Sequence, residues 1–218
     1  MIFAKLLLAW TGLALAGSLC AAAVARAFGV VVQRVSLGMG RVLLTLGWFE
    51  VLMIPLGSSV RFLLAQDIAK PDPSAAELRG AFDRRGAATR IAIIAAMPGS
   101  LLLIGLLLLG PPAWHHFGSG FVQILGGALS PADEAQRLLG AFVQLLRTQG
   151  LVVATGVLAS KFAALQLLPL YGLAGLQLLW VLVPPLERLV LRAPLPFFLP
   201  YLAIAGAWVG AMVGYWLG

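Results

Sequence analysis

Charge is what this sequence has least of. Lys and Arg number 15 and Asp and Glu 8, together 11% of 218 residues. An ordinary soluble domain carries about 25%. So few charges cannot cover a globule, which excludes a soluble enzyme, and the hydrophobic content excludes a disordered or collagen-like chain. Cysteine occurs once, at Cys20, so no intramolecular disulfide exists. The net charge of +7 is spread along the chain rather than gathered into a stripe, so no nucleic-acid partner is expected. What the sequence has instead is apolar length: 61% of its residues are hydrophobic. It reads as an α-helical integral membrane protein with about four transmembrane helices, its partners being lipids and other membrane helices.

Uncharged stretches of ~20 residues locate the spans, since that length crosses ~30 Å. They fall near 5–27, 91–113, 150–186 and 194–218. The first is long for a cleaved signal peptide, although Ala21-Ala22-Ala23 imitates a cleavage site. The third is interrupted only by Lys161 and would reach roughly 55 Å as one helix. Pro169, Tyr171 and Gly172 sit within it, so a broken span is expected there. The segment 26–90 holds nine Lys and Arg, against two each in 114–149 and 187–192. Positive-inside bias places 26–90 and 187–192 in the cytoplasm and both termini outside. The expected location is a cell membrane, with a bacterial inner membrane the candidate.

The connections have their own patterns, within one membrane domain over 1–218. Val30-Val31-Val32, Val35 and Leu37 favour a strand, and Gly38-Met39-Gly40 breaks the run. Trp48 to Ile54 reads as another strand, closed by Pro55 and Gly57. A membrane-edge β-hairpin is therefore expected over 30–57, followed by a polar linker over 66–90. In 114–149, Ser130-Pro131-x-Asp133 supplies an N-cap, a proline at N1 and an acid at the capping-box position. The apolar side behind it predicts an outer interfacial helix over 131–147.

Several pieces resemble the site-2 protease family of intramembrane zinc metalloproteases. Val24-Ala25-Arg26-Ala27-Phe28-Gly29-Val30 resembles the stretch after that family's zinc-binding helix. Val35-Ser36-Leu37-Gly38-Met39-Gly40 and Ile54-Pro55-Leu56-Gly57 look like the start and exit of its hairpin. Ala96-Met97-Pro98 is similar to its Ala-Gly-Pro span. Gln166 through Gly175 is similar to its Asn-x-x-Pro-x-Pro-x-x-Asp-Gly motif. The resemblance implies the fold, and it implies where a His-Glu-x-x-His helix and an aspartate would hold zinc. Those positions are Gly17, Ser18, Leu19, Cys20 and Ala21, and Ala174. Gln166 stands where the family has asparagine, and Tyr171 where it has the second proline. Neither imidazole, nor the carboxylate base, nor the aspartate is present. A pseudoenzyme without zinc or other cofactor is expected, because no ligands means no activated water.

Other residues do not supply a metal site on paper. His115 and His116 are adjacent, so on a helix they point ~100° apart. Cys20 reads as a small hydrophobe, and Glu50 as snorkelling or paired with Arg41. Lys161 is an ionisable group within a span, either snorkelling or meeting a partner. Gly206, Gly210, Gly214 and Gly218 recur every four residues, which puts them on one helix face. That row serves a partner helix, self-association or packing within the chain. The partner-binding candidates are thus these four glycines, Lys161 and Gln166. The expected role is a non-catalytic scaffold or accessory subunit that binds transmembrane segments within a larger complex. The alternatives are a small transporter built on the broken span and, remotely, a protease with unorthodox ligands.

Overall fold

The computed structural model describes residues 2–68, 78–192 and 195–217. Three of its helices are long and apolar enough to cross a membrane. Packing groups the chain into two compact units, Phe3–Ser100 and, with Met1–Ile2, Leu101–Gly218.

In the Phe3–Ser100 unit, helix α1 runs from Ile2 to Ala27. Gly29, at φ 70°, turns the chain out of it, and the Val30 amide donates to the Ala25 carbonyl. Arg85 braces this turn by donating to the Gly29 carbonyl at 2.6 Å. Strands β1, Val32–Leu46, and β2, Phe49–Phe62, pair antiparallel. Both extend beyond the bounds expected from sequence. Gly38 and Gly40 do not break β1; each takes φ 95°, and the register shifts on either side of Met39. Glycine at positive φ absorbs the shift without ending the strand. Likewise Pro55 and Gly57 lie inside β2, which ends at Phe62.

The shifts fold the ribbon back on itself. Val35, Ser36 and Leu37 face Val60, Ser59 and Ser58 on one side and Phe49, Glu50 and Val51 on the other. In the second set both numbers rise together, so that short contact runs in one direction. Doubly flanked, Val35 is fully buried and joins Ala22, Ala25, Val30, Val32 and Ile93 in a core. The same doubling settles Glu50. It is buried and pairs at 3.2 Å with Arg34, not with Arg41. Arg34 lies two residues before Ser36, the partner of Glu50, whereas Arg41 belongs to the distal ribbon. That distal part is apolar and open: Met39, Val42, Leu43, Leu44, Leu46, Met53 and Ile54 are all exposed.

Helix α2, Ala87–Leu109, contains Pro98 and passes from one unit into the other. Gly110 closes it, and Pro112 opens helix α3, Pro112–Leu129. The sequence reading had no helix here. Pro131–Ala135 then makes one π-helical turn before α4, Gln136–Thr148. The expected capping box is therefore not formed as such. Ser130 Oγ lies 3.4 Å from Asp133 Oδ2, and the Ala135 amide reaches back to the Ser130 carbonyl. Helix α5 runs Gly150–Gln166, α6 Ala174–Leu182, α7 Pro184–Arg192 and α8 Leu195–Leu217.

Glycine sets the helix crossings in this second unit. A Cβ on Gly105 would collide with Ser160, and one on Gly156 would strike Leu108 and Leu109. Gly120 of α3 sits against Ala164 and Lys161 of α5. Gly127 makes room for the Trp208 ring of α8. Small residues let apolar helices approach where no water is expelled to drive them together.

Candidate functional site

The row predicted on the last helix divides into two kinds of glycine. α8 packs through Ile204, Trp208 and Ala211, and the Trp208 indole donates to the Ile124 carbonyl at 3.0 Å. Gly214 is covered by the start of α4, since a Cβ there would meet Gln136 Nε2 at 2.7 Å. Gly206 and Gly210 face open space, with no atom within 4 Å of where a Cβ would be. Gly218 lies outside the described residues. Gly206, Ala207, Gly210 and Ala211 floor an apolar groove of about 370 Å³, walled by Pro131, Ala132 and Gln136. Beside that wall, Arg137 donates to Glu134 at 2.6 Å and holds its carboxyl below the usual range. Across its most apolar stretch, α8 is only 6% buried.

Lys161 is half-buried on α5 and its ammonium donates to Gln123 Oε1 of α3. Gln123 carried no signal in the sequence reading because the helix that presents it was not foreseen. Gln166 is the last residue of α5 and is also half-buried. Beyond it, residues 167–173 leave helical geometry, and α6 restarts at Ala174. The expected break is a packed turn. Leu168, Leu170 and Leu173 are buried against Phe121, Ile124, Tyr201 and Ile204. Gly175 presses on the carbonyls of Leu167 and Leu168, where any side chain would collide with backbone. Gly172 supplies the turn's φ of 83°, and Tyr171 meets Phe198 edge to face at 5.6 Å.

The positions matching the family's zinc helix are packed. Gly17, Ser18 and Ala21 are buried on α1, while Leu19 is exposed and Cys20 half-buried. Ala174 is buried at the start of α6. Ser18 and Ser58 of β2 are 2.6 Å apart, and Ser58 donates to the Ala14 carbonyl. A hydroxyl has one proton, so Ser18 must be the donor to Ser58. A hydrogen-bonded chain from helix to strand thus stands at the position that the sequence resemblance would give to a general base. Sequence spacing alone did not expose Ser58 as its partner.

His115 and His116 lie near the start of α3, their rings 5.9 Å apart and turned 68°. Trp114 and Phe117, on either side of them in sequence, meet each other edge to face. Among the described residues, no three His, Cys, Asp or Glu side chains gather as a metal-ligand group. No family model matches the chain, and no curated protein matches it in sequence.

Proposed function

We propose that this chain is a non-catalytic membrane scaffold or accessory subunit, related to the site-2 proteases, that binds transmembrane segments of partner proteins. The observation that carries this reading is the open half of the glycine row. Elsewhere in the same unit, the glycines at helix crossings are filled by a neighbouring helix. Gly206 and Gly210 have no atom within 4 Å of where a Cβ would be, and they floor an apolar groove. A helix laid there would bring backbone close to backbone, which is how helices associate in lipid.

In this reading α1, α2 and α8 cross the membrane, the α5–α6 pair is a broken segment within it, and the N-terminus lies on the outer side. The membrane is a cell membrane, of the bacterial inner type. The absence of His and Glu at Gly17, Ser18 and Ala21, and of Asp at Ala174, supports a role without proteolysis.

Gly210→Leu is the test. The site is open, so the isolated protein keeps its melting temperature in mild detergent. Partners that co-purify with the wild type, identified by mass spectrometry, are lost from the variant. An unchanged partner set would overturn the assignment, as would peptide-bond cleavage by the purified protein.

A further inference from the structure

The same chain provides a cation within its apolar helices, and among the described side chains no carboxylate meets it. From Ile91 to Ala132, and again from Ala135 to Leu186, the sequence contains no Asp or Glu. Lys161 lies eleven residues into α5, about 16 Å along its axis. Its hydrogen bond goes to the neutral amide oxygen of Gln123. The row of α3 that includes Gly120 offers His116 four residues before it and Gln123 three after it, and neither supplies a negative charge. The described carboxylates of the same unit are engaged elsewhere, Asp133 with Ser130 and Glu134 with Arg137. A lysine has three protons to donate, and an ammonium in apolar surroundings facing only a neutral amide is costly.

We infer that Lys161 is the cationic half of an intramembrane ion pair whose carboxylate is carried by an Asp or Glu in a partner's transmembrane helix. This rests on the reading of the chain as a binder of transmembrane segments, and it names the chemistry of what is bound. Charge complementarity selects such a helix. An anionic lipid phosphate has the same charge, but it sits at the headgroup layer, and a position ~16 Å along the helix favours a carboxylate that enters at depth.

The experiment uses the full chain in phosphatidylcholine nanodiscs. The probe is a labelled Leu/Ala transmembrane peptide with one central Asp, alongside its Asn twin. Energy transfer should report about tenfold tighter binding of the Asp peptide. Lys161→Met should erase that preference, and Lys161→Arg should keep it, with helical content and melting temperature recorded for both. Equal binding of the two peptides to the wild type overturns the inference, as does a preference that survives in Lys161→Met. A Lys161-dependent preference for phosphatidylglycerol without one for Asp overturns it too, assigning the ammonium to lipid. Gly210→Leu separates the two readings. If docking itself fails, the Asn twin binds wild type and Gly210→Leu alike. If only the ion pair fails, the Asn twin still distinguishes them and Asp adds nothing.

Discussion

At the scale of single residues, glycines with the same appearance in sequence have opposite roles. Gly175 is pinned where a Cβ would run into the carbonyls of Leu167 and Leu168. Backbone cannot move aside there without opening the turn that buries Leu168, Leu170 and Leu173. Gly175→Ala should therefore cost about 2 kcal/mol or more, in the range of overpacked cores. Gly206 has nothing within reach of a Cβ, so Gly206→Ala should be neutral or stabilising by up to about 1 kcal/mol through helix propensity. Thermal unfolding of both variants in one detergent checks the pair, and equal melting temperatures would contradict it. The four-residue spacing of the row was legible in sequence. Which of its members were covered was not, because that depends on where Trp208, Gln136 and Pro131 fall in three dimensions. Glu50 shows the same limit: its ion pair follows from a strand register that no local pattern encodes.

At the scale of elements, patterns with a period were legible and those set by contact were not. Long uncharged runs located α1, α2 and α8 because lipid tolerates little else. β-Favouring residues located the hairpin, but its length was misread at Gly38 and Gly40. Glycine signals an unusual φ, and sequence does not say whether that φ ends a strand or bulges it. Helix α3 was missed for a related reason. Gly118, Gly120, Gly126 and Gly127 lower its intrinsic propensity. Two of these, Gly120 and Gly127, are the close-approach points that fix it to α5 and α8. The hairpin's distal ribbon also makes a prediction. Leu43 is 65% exposed, and an apolar ribbon open on both faces belongs in lipid or against a partner rather than in water. On a Cys20→Ser background, Leu43→Cys labelled with an environment-sensitive dye should emit in the blue in vesicles and be quenched by brominated lipid. An unquenched, water-like emission would remove the hairpin from the membrane edge.

At the scale of the molecule, helix directions within the second unit carry a topological consequence. Gly105 faces Ser160 while Leu109 faces Gly156, so α2 and α5 run in opposite directions. Gly120 faces Lys161 and Ala164, and Phe121 and Ile124 join Leu165 and Leu168 further on, so α3 runs with α5. Gly110 and Gly150 therefore lie at the same end. The 18 residues of α3 lead away from that end by about 27 Å, and the 13 of α4 return by about 20 Å. In the proposed topology the nine basic residues of 26–90 put the opposite end in the cytoplasm. Residues 114–149, expected as an outer connection with an interfacial helix, then dip inward and come back. Single cysteines in Cys20→Ser check this with a membrane-impermeant maleimide applied to intact cells. Gln149→Cys and Ala132→Cys are both exposed positions, yet the first should react several-fold faster, because α3 carries the second away from the outer surface. Arg84→Cys should react only after permeabilisation. Equal rates at 132 and 149 would lay the whole segment on one surface, and labelling at 84 in intact cells would invert the chain in its membrane.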